Sequence, residues 1–261
     1  MNILFAGSPN SSAKVLDSLS NKTGLRIKAV ITQPDKRGKR GNKLVESQVA
    51  EKAKLLNIPV FKPTNLNDKH FKAELSSLDI EFLIVVAYGK LIPDWLIELP
   101  KITSINVHFS ILPKYRGASP IQSALLNADA ESGITIIKIN DELDSGDVYS
   151  SFVQTVDEDD DKISLENKLT ELCNANLFNV LKKINSNKLK ALPQDHSSAT
   201  YCNKVLKQDS EITFNDKSAN IINKFKAYIE WPGISFKHKE KLIKIHKIEK
   251  TDIDSSGSPG T

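Results

Sequence analysis

The chain is poor in cysteine, with Cys173 and Cys202 as its only two in 261 residues. They lie far apart, and neither has a Cys or His beside it at metal-ligand spacing. This excludes a disulfide framework and a zinc site and reads as two reduced thiols. No apolar run approaches the roughly 18 residues that a bilayer span requires. The opening Met1-Asn2-Ile3-Leu4-Phe5 lacks the charged region and small-residue cleavage site of a secretory leader, so a cytoplasmic protein is expected. Gly7-Ser8-Pro9, at the end of the first strand-like run, lacks the glycine-rich phosphate fingerprint. A nicotinamide or nucleotide cofactor is therefore not expected. No internal repeat or low-complexity segment stands out.

At 39% apolar and 26% charged residues the composition is that of an ordinary soluble protein. The length suits one large domain and one small one, because single cores stop growing efficiently below about 300 residues. The net charge of +4 alone would not imply nucleic acid, but its distribution is uneven.

Residues 1 to 150 alternate short apolar or β-branched runs with segments of helical period. That is the pattern of an α/β fold: a Rossmann-like, open, parallel-rich sheet with crossover helices. Strands are predicted at Asn2-Ala6, Ile27-Thr32, Phe82-Ala87, Thr103-His108 and Ile134-Ile139. Asn10 or Ser11 is expected to cap a first helix with Val15, Leu16 and Leu19 on one face. Ser47 is expected to begin a second, carrying Val49, Ala53, Leu55 and Leu56, and a third should span Pro120 to Ala128. The acidic run Asp157 to Asp161 reads as a solvated loop entering a long helix from about Ser164 to Ile184. Pro-, Ser- and Gln-containing residues 191–200 read as a linker between a catalytic domain, 1–190, and a second unit, 201–261.

Ligands of open α/β sheets gather beyond the carboxyl ends of the strands. Tyr88-Gly89-Lys90 and Phe109-Ser110 follow two such ends. Asn106 and His108 are two apart on a strand and share a face, so an amide and an imidazole converge on one small volume. Acyl transfer builds negative charge on a carbonyl oxygen, which an amide N–H and a protonated imidazole can stabilise. A carboxylate from Asp141-Glu142-Leu143-Asp144-Ser145-Gly146-Asp147 could orient the histidine and accept a proton from an attacking amine. Taken alone, an Asn-x-His pair fits a structural histidine better than a catalytic one, and Tyr88-Gly89 fits a strand-terminating turn better than a binding site.

The stretch Asn106-Val107-His108-Phe109-Ser110-Ile111-Leu112-Pro113-Lys114-Tyr115-Arg116-Gly117-Ala118-Ser119-Pro120-Ile121 resembles the signature of methionyl-tRNA formyltransferases. Phe5-Ala6-Gly7-Ser8-Pro9, Thr32-Gln33-Pro34-Asp35, Val86-Ala87-Tyr88-Gly89, Leu143-Asp144-Ser145-Gly146-Asp147 and Trp231-Pro232 match in order, so the resemblance covers nearly all of the chain. It implies the formyltransferase fold, 10-formyltetrahydrofolate as formyl-donor co-substrate, no metal, and methionyl-initiator-tRNA as acceptor in translation initiation. The family's catalytic Asn, His and Asp fall on Asn106, His108 and Asp144. Its folate-contacting Ser-Leu-Leu-Pro falls on Ser110, Ile111, Leu112 and Pro113, where Ile for Leu conserves volume. By the same resemblance the backbone of Ala87, Tyr88 and Gly89, with Ile92 nearby, should line the pterin pocket.

Lys36, Arg37, Lys39, Arg40 and Lys43 fall within eight residues that also hold Gly38 and Gly41. A basic loop of this kind suits contacts to an RNA phosphate backbone, and equally a solvated loop with no partner. The resemblance implies tRNA binding here, with Asn42 standing where the family pattern has a lysine. Residues 201 to 250 hold eleven lysines against six acidic residues. A strand with one basic face is expected around Ile243, Lys244 and Ile245. The family has an OB-like barrel in this region, a fold suited to oligonucleotides. Because relatives continue past Ser255 to Thr261, the second unit is expected to be an incomplete OB-like β domain with open edges and reduced tRNA affinity. A monomer is expected. The competing readings are a formyltransferase acting on an amino sugar or glycinamide ribonucleotide, a folate hydrolase acting on water, and an inactive RNA-binding protein on the same scaffold.

Overall fold

The computed structural model describes residues 1–38, 44–249 and 251. The main sheet has seven strands: β1 (Asn2–Gly7), β2 (Arg26–Ile31), β5 (Val60–Phe61), β6 (Phe82–Val86), β7 (Thr103–His108), β9 (Glu131–Lys138) and β10 (Val148–Thr155). Among the described residues, three small two-stranded pairings complete the strands. They are β3 (Lys36–Arg37) with β4 (Leu44–Val45), β8 (Arg116–Gly117) with β11 (Tyr201–Cys202), and β12 (Ile234–His238) with β13 (Lys241–Ile245). The helices are α1 (Asn10–Ser20), α2 (Gln48–Leu55), α3 (Lys69–Ser76), α4 (Asp94–Ile97), α5 (Pro120–Leu126), α6 (Lys162–Asn185) and α7 (Ser218–Tyr228). Among the described residues no helix is long and apolar enough to cross a membrane.

The strand order is β10-β9-β7-β6-β1-β2-β5. The run from β7 to β5 is parallel, while β9 is antiparallel to β7 and β10 to β9. Strand order therefore reverses between β1 and β6, which places a crevice beyond Gly7 and Val86. Alternate residues of the inner strands feed two cores. Ile3, Phe5, Ile84, Ile105 and Val107 pack with Val15, Leu16 and Leu19 of α1 and the apolar stripe of α6. Leu4, Ala6, Leu83 and Val85 pack on the other face with Phe71, Leu75 and Leu96. This two-sided burial explains the unbroken apolar run of β6.

The five predicted strands are present, Thr103–His108 with the predicted bounds. Ser47 caps α2, its Oγ accepting from the Ala50 N–H at 3.0 Å, a contact worth about 1 kcal/mol. Three details of the helices differ from expectation. Neither Asn10 nor Ser11 caps α1, whose cap position is Pro9. The serine hydroxyls are spent on tertiary contacts instead: Ser11 donates to Glu166 Oε1 at 2.9 Å and Ser12 to the Val86 carbonyl at 2.6 Å. Leu55 is 78% exposed, because at about 100° per residue it lies roughly 240° round the helix from Val49. The acidic run is only partly solvated. Asp161 caps α6 with bonds from the Ile163 and Ser164 N–H groups, while Asp160 is buried against Lys168 and Ser164.

The second unit contributes α7 and the β12–β13 hairpin among the described residues. The hairpin pairs Ile234 with Ile245, Phe236 with Ile243, and Lys237 with Leu242. One side of the hairpin carries Ile234, Phe236, Ile243 and Ile245, and the other carries Lys237 and Lys244 beside Leu242 and Ser235. The tail from Ser255 to Thr261 lies outside the described residues.

Candidate active site

The carboxyl end of β7 is where the predicted chemical residues meet. Asn106 and His108 project from the same face of the strand. The turn between β9 and β10 brings Asp144 back across them. The Asn106 Nδ2 donates to Asp144 Oδ1 at 3.2 Å, and the Gly117 backbone N–H donates to Asp144 Oδ2 at 2.9 Å. His108 Nδ1 lies 3.5 Å from the same Oδ2. Asp144 sits at φ +50°, in the left-handed region, a conformation that a non-glycine residue keeps only when its surroundings hold it.

His108 is buried, and its Nε2 lies 2.8 Å from the Tyr115 carbonyl. A carbonyl only accepts, so Nε2 carries a proton, and Nδ1 is left to face Asp144. Both ring nitrogens are thus engaged. Asn106 is only partly buried and gives one amide hydrogen to Asp144, which among the described residues leaves a second free. The expected pairing of an amide and an imidazole is present, with the amide the more available donor.

The loop after β7 is pinned to β9. Thr135 Oγ1 donates to the Ser110 carbonyl at 2.7 Å and accepts from the Leu112 N–H at 3.0 Å. Ser110 Oγ donates to the Lys114 carbonyl at 2.6 Å. The side chains of Ser110 and Leu112 are buried, and those of Ile111 and Pro113 are partly exposed. The turn after β6, on the neighbouring strand, is held by its carbonyl: Gln33 Nε2 donates to the Tyr88 oxygen at 2.8 Å and Ser8 Oγ at 3.3 Å. Gly89 has φ +77°, and a Cβ there would lie 2.7 Å from Gln33 Nε2. Ala87 and Gly89 are exposed while the Tyr88 ring is buried in the core, so this turn offers backbone rather than the tyrosine ring to the crevice. Burial pushes the Tyr88 hydroxyl up to about 12. Ile92 packs beside the same core, partly buried.

Of the basic loop, Lys36 and Arg37 form β3, exposed and paired with Leu44–Val45; Lys39, Arg40 and Lys43 lie outside the described residues. Its base is tied down by Lys62, which pairs with Asp35 at 2.6 Å and Glu46 at 2.7 Å. Among the described residues no group of three or more His, Cys, Asp or Glu side chains converges as metal ligands would.

Residues 191–200 are closely attached to the site. Leu192 exchanges two backbone hydrogen bonds with Val148. Gln194 is buried, donates to the Asp144 and Gly146 carbonyls at 2.8 Å each, and accepts from Arg116. Tyr201–Cys202 pairs in parallel with Arg116–Gly117. Nothing periodic marks Gln194 in the sequence, because its partners lie 48 to 78 residues earlier in the chain.

The family described as Formyl transferase matches residues 1–181, and that described as Formyl transferase, C-terminal domain, matches residues 204–261. The methionyl-tRNA formyltransferase of Sulfurihydrogenibium sp. (strain YO3AOP1) is 38% identical over 261 residues, covering 100% of this chain and 84% of the relative. That of Legionella pneumophila (strain Corby) is 37% identical over 260 residues, covering 100% of this chain and 82% of the relative. Among solved structures, a 4-N formyltransferase from Francisella tularensis shares the fold, with a TM-score of 0.74 at 17% identity over 96% of this chain and 98% of the other. From these relatives and the two matched domains, the chain belongs to the methionyl-tRNA formyltransferase family.

Proposed function

We propose that this protein transfers the formyl group of 10-formyltetrahydrofolate to the α-amino group of methionyl-initiator-tRNA, with Asn106, His108 and Asp144 as the chemical centre. The observation that supports this most directly is a single carboxylate, Asp144, held between the Asn106 amide, the Gly117 N–H and the His108 ring at a sheet's carboxyl edge.

The folate supplies an electrophilic formyl carbon. As the amine nitrogen adds to it, negative charge builds on the formyl oxygen, and the free Asn106 N–H is the group placed to meet it. A second proton on His108 puts a positive charge beside that oxygen while Asp144 balances the ring. The ring can also donate directly if Nε2 exchanges the Tyr115 carbonyl for substrate, since catalytic hydrogen bonds often form fully only in the complex. Asp144 takes the proton that the amine loses as the new C–N bond forms, directly or through water. Its side chain is 12% exposed, and its two oxygens have lone pairs beyond those already used. As the carbonyl reforms, that proton passes from Asp144, directly or through water, to the folate nitrogen, whose bond to the formyl carbon breaks; this releases the formylated amine and tetrahydrofolate and restores the carboxylate.

The backbone of Ala87, Tyr88 and Gly89, with Ile92, forms one side of the folate site in this reading, and Ser110, Ile111, Leu112 and Pro113 the other. Lys36, Arg37, Lys39, Arg40 and Lys43 contact the phosphate backbone of the tRNA, supported by the lysine-rich second unit. Residues 1–190 are the catalytic domain, 191–200 the connection and 201–261 the tRNA-binding unit of a cytoplasmic monomer. The test is to offer purified protein and 10-formyltetrahydrofolate a choice of acceptors. Formylmethionyl-tRNA is the expected product; turnover only on glycinamide ribonucleotide or a nucleotide-linked amino sugar overturns the assignment.

A further inference from the structure

Arg116 is among the largest fully buried side chains of the protein, at 2% exposure. Its side-chain partners among the described residues are all uncharged acceptors. Nε and Nη2 both donate to Gln194 Oε1, at 3.1 and 2.7 Å; Nη2 also donates to His196 Nδ1 at 3.2 Å, and Nη1 lies 3.5 Å from the Tyr201 hydroxyl. Burying a guanidinium without a carboxylate is costly, so the arrangement calls for a compensating purpose.

The direction of the donors supplies one. A guanidinium only donates, so the face of the Gln194 amide towards it must be the oxygen. The NH2 group is thereby forced to the opposite side, where it meets the two carbonyls of the catalytic turn, Asp144 and Gly146. Those two bonds clamp the turn on either side of Ser145 and hold Asp144 at its positive φ. The next residue along the strand from Arg116 acts from the other side, since the Gly117 N–H binds the Asp144 carboxylate itself. Arg116 and Gly117 thus support both the backbone and the head of one side chain.

We propose that Arg116 and Gln194 are positioning residues for Asp144: the guanidinium fixes the polarity of the amide, and the amide fixes the turn from which the carboxylate projects. Neither touches substrate. The connection to the second unit is thereby part of the catalytic framework. This rests on the formyl-transfer reading above and deepens it.

The test uses the full chain, with wild-type formylation of methionyl-tRNA established first; absence of product there counts against the reaction, before the positioning role is addressed. Gln194→Met removes both sets of hydrogen bonds. Gln194→Glu keeps the acceptor for Arg116, pairs with it as an ion and cannot donate to the two carbonyls, so it remains folded while releasing the turn. Both variants are expected to lose about tenfold or more in kcat, the scale of two supporting hydrogen bonds, with KM for folate and tRNA within about twofold of wild type. In an Asp144→Asn background, Gln194→Glu should cost little more, because the residue it positions is already disabled. Wild-type kcat in Gln194→Glu, or a full additional loss in the double variant, overturns the proposal.

Discussion

Replacing Asp144 by asparagine changes one atom of the site and should disable it. The two carboxylate oxygens are used differently: Oδ1 accepts from Asn106 at 3.2 Å, and Oδ2 accepts from the Gly117 N–H at 2.9 Å while facing His108 Nδ1 at 3.5 Å. An amide has one oxygen to offer. With the amide oxygen kept on the Gly117 N–H, the new NH2 faces the Asn106 NH2, so either that hydrogen bond is lost or Asn106 turns its oxygen inward and withdraws its donor from the site. At a largely buried position this costs about 1–3 kcal/mol of stability, which lowers the melting temperature by a few degrees in a chain of this size. The catalytic loss is larger. The variant has no anion to balance a charged His108 and no base for the amine proton, and positioned proton acceptors contribute about 10²–10⁴-fold. The assay is formylation of methionyl-tRNA at saturating folate, with melting monitored in parallel. A folded Asp144→Asn protein turning over within about fivefold of wild type would refute the reasoning.

Gly117→Ala should damage stability and rate together, because a Cβ there would lie 2.1 Å from the Cys202 carbonyl oxygen and φ is +124°. About 2–5 kcal/mol of destabilisation is expected from overpacking and strain, measured by denaturant unfolding. Asp160 predicts an acid-side loss of stability. Burial raises its carboxyl, but Lys168, the Asp157 N–H and Ser164 together hold it below its ordinary 3.8. Its contribution is therefore complete above that value and disappears as pH falls through the lower folded value; Asp160→Asn should flatten the stability-against-pH curve in that window. Burial pushes the Cys173 thiol up to about 12 and raises that of Cys202 as well. Neither should be alkylated at pH ~8 in the native state, where an ordinary thiol near ~8.5 reacts, and mass spectrometry after iodoacetamide treatment checks this.

Of the parallel part of the sheet, β1, β2, β6 and β7 were legible as short apolar or β-branched runs, most clearly the unbroken Phe82-Leu83-Ile84-Val85-Val86, while the two-residue β5 was too short to leave a pattern. The edge strand β10 was not, since Val148-Tyr149-Ser150-Ser151-Phe152-Val153-Gln154-Thr155 is half-exposed along much of its length and gives a weak apolar signal. Asn106 and His108 could be placed together from a period of two. Asp144 could be attached to them only through family resemblance, because its approach depends on how the β9–β10 turn folds back over β7. Gln194 and the buried state of Arg116 were invisible for the same reason: both act across long sequence separations, and neither falls in a periodic segment. The caps of α1 and the exposure of Leu55 show the opposite limit, where local rules were readable but tertiary contacts or helical rotation decided the outcome.

The central claim is that the donor and acceptor groups gathered around Asp144 carry out formyl transfer. Single-turnover formylation of methionyl-tRNA, with enzyme and 10-formyltetrahydrofolate in excess, compares wild type with Asn106→Ala free of binding and release steps. Losing the amide donor that Asn106 keeps free among the described residues should slow the transfer step by about 10²–10³-fold. An unchanged transfer rate in a folded Asn106→Ala protein would contradict the account.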